Sequence, residues 1–377
     1  MQLSLLRPLT ERPGPWASVY ADTSHDTEYA AKQLTLTARA AAARLAELGA
    51  DDATCGAVEK ALAVERTGEP ATEAGRALFA ADGEVVLDTP LPGPPAAPSV
   101  SWGPVARMTP LIEAVGDDPV CLLVSVDKTG ADFELHSGRG SDDAGQVTGV
   151  EWAIHRAGRI DWSERHFQFK AEETWEHNAR EIADKAREVF EKSGAAALLL
   201  VGDPRERRSV HEKLPERMRA MTYESTHGRR GPGTDGVVLE RDIAQVQAVQ
   251  ELEHVAEVTG RFRARAEPAG GEQPYAAEGV PSLVEAAREH RIDTLLVSHG
   301  PDTARQVWVG PDPDQLAVRS SELHYLGEAH PAAVRADDAL VRSAVANGAD
   351  AVVVREPENA PAGGLGAILR WTGSERR

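Results

Sequence analysis

The clearest fold signal in this chain lies in residues 174–202, which read TWEHNAREIADKAREVFEKSGAAALLLVG. Apolar side chains recur every three to four residues in the first part, and this spacing predicts a helix from Thr174 to Lys192. Gly194 ends that helix, and the uninterrupted apolar run at 196–202 predicts a buried strand. A helix, a small-residue break and an apolar strand in this order are typical of α/β proteins.

The same order of elements recurs twice further along the chain. Residues 281–290 and 339–347 predict helices, and an apolar strand follows each of them, at 292–298 and at 351–354. These units indicate an α/β fold with largely parallel sheets. The spacing between them is unequal, which argues against a solenoid.

Three domains are predicted along the chain: residues 1–118, 119–235 and 236–377. A length of 377 residues favours more than one domain, because single cores stop growing near roughly 250–300 residues. The first boundary follows residues 90–98, whose five prolines predict an extended connector. The second lies where the polar, glycine-rich stretch 226–236 gives way to a long helical pattern from 239 to about 266.

The second section opens with a predicted hairpin. Residues 120–126 read VCLLVSV, an apolar run that predicts a buried strand, and Asp127–Gly130 have the composition of a turn. Residues 131–136 then return as the partner strand. Residues 154–170, IHRAGRIDWSERHFQFK, precede the Thr174 helix and are predicted to form a loop.

The net charge limits the kinds of partner. The chain has 41 Lys and Arg against 60 Asp and Glu, a formal charge of −19, which argues against DNA, membrane surfaces and indiscriminate RNA binding. The first section carries 9 basic and 17 acidic side chains, the second 18 and 21, and the third 14 and 22. The middle section is therefore nearly balanced, and the acidity belongs to its neighbours.

Cysteine use and the termini indicate the setting. Cys55 and Cys121 are the two cysteines, without the spacing of a disulfide framework or a zinc site. We therefore expect no metal and no cofactor. The start of the chain lacks the features of a signal peptide, and no apolar run approaches the roughly 20 residues that cross a bilayer. The expectation is a soluble, cytoplasmic protein.

Basic residues cluster in the middle section and are the candidates for RNA contact. One set lies before the Thr174 helix, interleaved with aromatic residues: Arg156, Arg159, Arg165, His166 and Lys170. A second set follows the 196–202 strand, with six residues in the fifteen positions 205–219 and two in the glycine-rich loop beyond: Arg205, Arg207, Arg208, Lys213, Arg217, Arg219, Arg229 and Arg230. Arginine with aromatic residues suits phosphate contact and base stacking. The alternative is a solvated helix face with buried loop anchors.

Four collinear segments carry a family resemblance: the hairpin 120–136, residues 177–204, residues 280–297, and the ending GGLGAILRW at 363–371. The chain resembles the archaeal and eukaryotic class-one peptide chain release factor family, which includes Pelota and a bacterial branch with Balon-like hibernation factors. The resemblance implies a three-domain α/β architecture whose C-terminal domain resembles the kink-turn-binding ribosomal protein fold. It also implies tRNA-like binding in the ribosomal A site.

One departure from the family bears on function. Release factors hydrolyse peptidyl-tRNA with a Gly-Gly-Gln tripeptide, and the corresponding loop 154–170 has none. Gln168 is the candidate substitute there, and the alternative is a plain polar residue between two phenylalanines. Termination is therefore not expected. A ribosome-binding factor for hibernation or rescue, without peptide release, is the leading hypothesis.

Two alternatives are a peptidyl-tRNA hydrolase acting on stalled ribosomes or large subunits, and an acidic protein–protein adaptor. Under the leading hypothesis the expected partners are ribosomal RNA, a P-site tRNA and a translational GTPase.

Overall fold

A computed structural model describes residues 3–24, 30–64, 75–138, 140–149, 163–228, 230, 236–267 and 274–372. Of residues 30, 31 and 163–173 it describes the backbone only. The described residues fall into two compact units. Unit 1 combines residues 1–117 with 255–377, and unit 2 comprises 118–254.

The described helices are α1 (Ala30–Glu47), α2 (Asp52–Leu62), α3 (Thr109–Val115), α4 (Ser163–Ser193), α5 (Pro204–His211), α6 (Glu216–Ala220), α7 (Gly236–Ala266), α8 (Val280–Arg288), α9 (Ser320–Tyr325) and α10 (Ala336–Ala346). Short 3-10 helices cover Leu3–Leu9 and Ala362–Gly364.

The described strands are β1 (Trp16–Asp22), β2 (Gly75–Ala81), β3 (Glu84–Leu91), β4 (Ser99–Gly103), β5 (Cys121–Asp127), β6 (Gly130–Ser137), β7 (Gly140–Thr148), β8 (Ala197–Gly202), β9 (Thr222–Glu224), β10 (Ala276–Glu278), β11 (Ile292–Val297), β12 (Gln306–Val309), β13 (Leu316–Ala317), β14 (Ala332–Arg335), β15 (Asp350–Val353) and β16 (Leu365–Leu369).

The N-terminal sheet of unit 1 is antiparallel, in the order β3-β2-β1-β4. Successive side chains of a strand point to opposite faces, so each strand supplies two cores. Val19 of β1 and Leu78 of β2 pack with α1 and α2. Tyr20 and Phe79, one residue further along, face a second core that extends into the C-terminal part of the chain.

The C-terminal sheet of unit 1 has the order β10-β16-β11-β15 and uses its two faces in the same way. Leu295 of β11 belongs to the core shared with Tyr20 and Phe79, together with side chains of α8 and α10. Leu296 faces the opposite side and packs against Val258 and Phe262 of α7. The first and last predicted sections thus share one apolar core. A smaller antiparallel sheet, β13-β12-β14, completes the unit.

Unit 2 is built on a five-stranded sheet in the order β7-β6-β5-β8-β9. Leu122 and Leu198 face α4, while Leu123 and Leu199 face the opposite side, toward Ile243 and Val246 of α7. Strands β5, β8 and β9 are parallel, and β5, β6 and β7 form an antiparallel meander. Their parallel arrangement brings the carboxyl ends of three strands to one edge.

The α/β class is confirmed, but the expectation of largely parallel sheets is wrong. Parallel pairing among the described strands is confined to β5 with β8, β8 with β9, and β11 with β15. Tight turns such as Asp82–Gly83 make sequence neighbours antiparallel, and β16 returns antiparallel to β11. Strand β7 was not predicted from the sequence; its side chains are mostly exposed, so it lacks the apolar run that marks a buried strand.

Helix α4 begins at Ser163, eleven residues earlier than predicted. Residues 163–173 contain neither Pro nor Gly, so nothing in this stretch interrupts a helix. Residues 163–170 of the predicted loop 154–170 are therefore helical, and residues 150–162 lie outside the described residues. The division into three domains at 118 and 235 stays a prediction.

Candidate nucleic-acid interface

The carboxyl ends of β5, β8 and β9 form one edge of unit 2, which we call the carboxyl edge. It comprises Asp127–Gly130, Gly202–Arg208, Ser225–Gly228 and Arg230. Functional side chains of α/β proteins collect beyond the carboxyl ends of parallel strands, because the loops there converge. Several of the basic residues singled out in the sequence lie here.

The turn between β5 and β6 is fixed by hydrogen bonds to Asp127. The backbone N–H and the hydroxyl of Thr129 both donate to Asp127 Oδ1, each at 2.7 Å. Partial burial opposes ionisation of this carboxyl, but the bonds from Thr129 and the nearby Arg230 outweigh it and lower its pKa. Gly130 has φ +153°, and a Cβ there would run into the carbonyl of Val147. The turn therefore requires glycine at this position.

Arg230 clamps this turn to the neighbouring strand. Its Nε donates to Asp132 Oδ1 at 2.9 Å, and Nη1 donates to Thr129 Oγ1 at 3.1 Å and lies 3.4 Å from Asp127 Oδ1. Its side chain is only 15% exposed. The guanidinium of Arg230 is thus held by contacts within the protein and is largely shielded from solvent. Gly149 N also donates to Thr129 O at 2.7 Å, so residue 149 lies beside the clamped turn.

Helix α5 begins at the carboxyl edge with Asp203 as its N-cap. Asp203 Oδ1 accepts the backbone N–H of Arg205 at 2.9 Å, and that bond lowers the pKa of the carboxyl. Glu206 is buried one turn later. Burial, reinforced by the charge of Asp203, raises the pKa of Glu206. The edge therefore holds two neighbouring carboxyl groups with opposite pKa shifts.

Three basic candidates of this region are paired with carboxylates. Arg207 is 4% exposed, donates to Ser225 O at 2.8 Å and lies 3.2 Å from Glu224. Lys213 is 2.8 Å from Glu176 and Arg208 is 2.9 Å from Glu212. Arg207 does not face solvent, so the expectation that it contacts RNA conflicts with its burial. It anchors the end of β9 to α5.

Four arginines of the region, among them the paired Arg208, are exposed to solvent. Arg205 and Arg208 of α5 are exposed, and so are Arg217 and Arg219 of α6. Neither Arg217 nor Arg219 has an ion-pair partner among the described residues. Sequence reasoning grouped all four by composition but could not separate them from the buried Arg207. The accessible cationic groups of α5 and α6 are suited to contact phosphate.

A histidine held by a carboxylate lies at the end of β9. His227 Nδ1 lies 3.0 Å from Asp242 Oδ2, and Ser225 Oγ donates to the same oxygen at 2.5 Å. These two bonds lower the pKa of Asp242. Because an ionised carboxylate only accepts, Nδ1 carries the proton and Nε2 of the neutral ring is left as the basic nitrogen. The His227 side chain is 47% exposed. No sequence pattern pointed to this group, since Asp242 is fifteen residues away.

Some of the predicted site residues cannot be assigned contacts. Arg156, Arg159 and Arg229 lie outside the described residues. Arg165, His166, Gln168 and Lys170 lie in α4, of which only the backbone is described at these positions. Their contact with RNA stays a prediction.

The described residues offer neither a metal-binding cluster nor a membrane-spanning helix. No group of three or more His, Cys, Asp or Glu side chains in the described part of the chain is arranged to hold a metal ion. Of the helices described here, none combines the length and the apolar character needed to cross a membrane.

The central part of the sequence matches the model of a known protein family. Residues 120–267 match the family model "Bacterial archaeo-eukaryotic release factor family 2", and this range contains the whole five-stranded sheet and its carboxyl edge. Over these residues the chain is similar to the bacterial branch of the archaeo-eukaryotic release factor family. The resemblance expected from the sequence is confirmed.

Relatives and solved structures are also similar to the chain. The uncharacterized protein Rv2629 of Mycobacterium tuberculosis (strain ATCC 25618 / H37Rv) is 29% identical over 379 residues, covering 100% of this chain and 98% of the relative. A protein of the CDC 1551 / Oshkosh strain, MT2704, matches equally.

Among structures, archaeal translation termination factor aRF1 is 16% identical, covers 97% of this chain and 96% of its own, and has a TM-score of 0.26. Ribosome-bound archaeal Pelota, solved with ABCE1, is 15% identical, covers 98% and 94%, and has a TM-score of 0.41. Dom34 of S. cerevisiae, described as interacting with Hbs1, is 13% identical, covers 79% of each chain, and has a TM-score of 0.38. No residue correspondence follows from superpositions of this quality.

Proposed function

We propose that this protein is a ribosome-associated translation factor that binds the A site in tRNA-like fashion during hibernation or rescue, without peptide release of the Gly-Gly-Gln type. The observation that carries the proposal is the release-factor family match over residues 120–267. The missing tripeptide in residues 154–170 argues against release. Ribosomal RNA and P-site tRNA are the proposed nucleic-acid partners, and a translational GTPase is the proposed protein partner.

The accessible arginines of α5 and α6 supply the proposed RNA contacts in the described part of unit 2. A net charge of −19 leaves little nonspecific attraction to RNA, so binding must rest on a few placed cations and on shape. Arg205, Arg217 and Arg219 are exposed and suited to phosphate contact. Arg207 and Arg230 serve instead to hold the carboxyl edge in place.

Co-sedimentation with purified 70S ribosomes tests the proposal. The wild-type chain is expected to pellet with ribosomes. Its affinity should fall as the salt concentration rises, because the release of counterions from RNA is less favourable in a more concentrated salt solution. A triple variant, Arg205→Gln with Arg217→Gln and Arg219→Gln, is expected to bind at least about tenfold more weakly, with a shallower salt dependence.

The matched control replaces three exposed basic residues of unit 1, Arg39→Gln, Arg44→Gln and Lys60→Gln. It loses the same charge and should bind ribosomes as wild type does. If both triple variants bound ribosomes equally weakly, binding would depend on the net charge of the chain and not on the arginines of α5 and α6. Failure of the wild-type chain to pellet with ribosomes, including those from stationary-phase cells, would refute the proposal.

The second candidate function, a peptidyl-tRNA hydrolase, is favoured by the His227–Asp242 pair. A carboxylate that fixes the tautomer of an accessible imidazole is an arrangement used in general base catalysis. In this alternative, His227 Nε2 takes a proton from the water that attacks the ester carbonyl of peptidyl-tRNA. The bond between the acyl carbon and the ribose oxygen then breaks, and the imidazolium returns the proton to that oxygen, so the peptide leaves as a carboxylic acid and the tRNA regains its free hydroxyl. Gln168 is the second candidate residue for positioning that water.

Release of labelled peptide from stalled 70S ribosomes and 50S subunits distinguishes the two functions. The leading proposal expects no release above a heat-inactivated control. The hydrolase alternative expects release that falls at least about a hundredfold in His227→Gln, since general bases contribute about 10²–10⁴-fold. If peptide release were lost in Gln168→Ala but not in His227→Gln, Gln168 would be the residue that positions the attacking water. Ribosome pelleting of both variants, measured in parallel, separates loss of catalysis from loss of binding.

A further inference from the structure

Unit 1 contains a cavity of about 530 Å³, formed by both ends of the chain. Three glycine–proline segments line it: Pro13–Pro15, Trp102–Pro104 and Val309–Pro311. Arg342 of α10 supplies a cationic group, Glu328 is a half-buried carboxylate of the lining, and His330 lies at an exposed position. Cavities of roughly 300–1,000 Å³ are typical of small-molecule sites.

Arg342 is the unusual group in this lining. It is 6% exposed, and no carboxylate within the described residues forms an ion pair with it. Burial lowers the pKa of the guanidinium, while the charges of Asp312 and Asp314 act in the opposite sense from beyond ion-pair distance. A buried charge without a paired counter-charge is costly, by several kcal/mol as an order of magnitude.

The hydrogen bonds of Arg342 leave part of its capacity unused. Nη1 donates to Gly310 O at 3.0 Å, and Nη2 donates to Pro311 O. A guanidinium has five N–H donors, so three are left without an acceptor among the described residues. These donors can serve a planar anionic group such as a carboxylate, which arginine binds through paired hydrogen bonds.

An anchoring role for Arg342 does not account for its burial by itself. The turn that it contacts is already closed by its own bonds: Gly310 N donates to Gln315 O at 2.8 Å, and Gln315 N donates to Asp312 O at 3.0 Å. Asp312 N also donates to Gln315 Oε1 at 3.2 Å. The turn therefore does not depend on the guanidinium to close.

Apart from Glu328 and His330, the rest of the lining is apolar and largely rigid. Trp102 offers an indole ring, and proline rings are present in all three segments. Rigid rings lose little conformational entropy when a ligand covers them, and aromatic faces favour flat partners. The lining thus combines one buried cation with flat apolar surfaces.

We propose that this cavity binds a small organic anion with a flat apolar body, whose anionic group pairs with Arg342 while its body packs against Trp102. The site lies in unit 1 and is independent of the RNA contacts proposed for unit 2. A ligand there, at free concentration L, would stabilise unit 1 by RT ln(1 + L/Kd), which grows as the ligand concentration rises above Kd.

Fluorine NMR on the full chain tests the site with 4-fluorobenzoate as the anionic probe and 4-fluorobenzamide as a neutral probe of the same shape. The benzoate should bind at least about tenfold more tightly, because only it offers Arg342 a charge. Arg342→Gln is expected to abolish that preference. Arg39→Gln, which removes an exposed cation of the same unit, should leave both affinities unchanged.

Two further variants keep the test decisive if Arg342→Gln does not fold. Trp102→Leu should weaken both probes at least fivefold, and Arg342→Lys should retain the charge but bind benzoate several-fold more weakly. Equal affinity for the two probes, no binding of either, or an unchanged benzoate affinity in Trp102→Leu would overturn the proposal.

Discussion

Arg107 and Asp338 form an ion pair of 2.6 Å between residues 231 positions apart in the sequence. Asp338 is 4% exposed, and its second oxygen accepts the backbone N–H and the hydroxyl of Thr109, at 3.1 and 2.9 Å. The carboxylate thus bonds the start of α3 to the first turn of α10. This polar joint lies within the unit whose apolar core is shared by the two ends of the chain.

Breaking this pair should strongly destabilise unit 1. Arg107→Ala leaves the Asp338 carboxylate buried without its counter-charge, and we expect a loss of about 3 kcal/mol in the free energy of unfolding. Urea denaturation of the full chain measures it. Arg44→Ala removes the exposed pair with Glu47, whose distance is 2.7 Å, and should change stability by less than about 0.5 kcal/mol. Similar losses in both variants would contradict the role assigned to burial.

The same carboxyl predicts a pH dependence. Burial, together with the charge of Asp337, raises the pKa of Asp338 to about 6 despite the opposing charge of Arg107. In the unfolded chain an aspartate titrates near roughly 3.9, so between the two values the folded state binds more protons. The contribution of Asp338 is therefore fully present below about pH 4 and is lost as pH rises through about 6.

Comparison with Asp338→Asn isolates this effect. The stability of wild type minus that of the variant should fall by up to roughly 3 kcal/mol between pH 4 and 7, since each pKa unit corresponds to about 1.4 kcal/mol. Chemical denaturation at a series of pH values provides the measurement. A difference that rises with pH, or stays constant, would contradict the raised pKa.

The N-terminal 3-10 helix should contribute measurably to stability. Leu3, Leu6 and Leu9 are all buried in the core of unit 1, and Leu6 is completely inaccessible to solvent. Leu6→Ala is expected to cost about 2–5 kcal/mol, through lost apolar burial and the cavity that remains. Leu36→Ala, at a position that is 55% exposed, is the matched control and should be near neutral. Thermal melts distinguish the two.

Replacing Gly130 or Gly56 by alanine should change the stability of the protein in opposite directions. Gly130→Ala places a Cβ against the Val147 carbonyl and should destabilise the β5–β6 hairpin by more than about 1 kcal/mol. Gly56 lies within α2, with open space around an added Cβ. Gly56→Ala should therefore stabilise the chain by about 0.5–1 kcal/mol. Melting temperatures that move in the same direction would contradict this reading.

The elements that the sequence predicted are those with a strong local period. The helix–break–strand unit ending at Gly202 was placed within a few residues at its C-terminal end, because one apolar face and a following apolar run define it. The pairing of strands was not predictable in the same way. Strand β16 returns antiparallel to β11 from about seventy positions away, and no local pattern encodes that choice.

The candidate site was predicted by composition, and composition does not reveal partners. Arg230 meets Asp132 across 98 positions, and Arg207 meets Ser225 across 18. Each contact depends on how β5, β6, β8 and β9 are ordered in the sheet. The clustering of arginines in the sequence therefore could not show which side chains stay accessible.

Unit 1 is built from the two ends of the chain, and this affects how it can fold during synthesis. Residues such as Trp16 and Phe79 emerge early, but the α10 and β16 side chains of the same core come from the last fifty residues. At translation rates of roughly 5–20 residues per second, the early half waits about 10–50 s for its partner. Unit 2 is contiguous and can fold during this interval. The nascent N-terminal section is therefore the part of the chain most exposed to chaperones and to aggregation while it is being made.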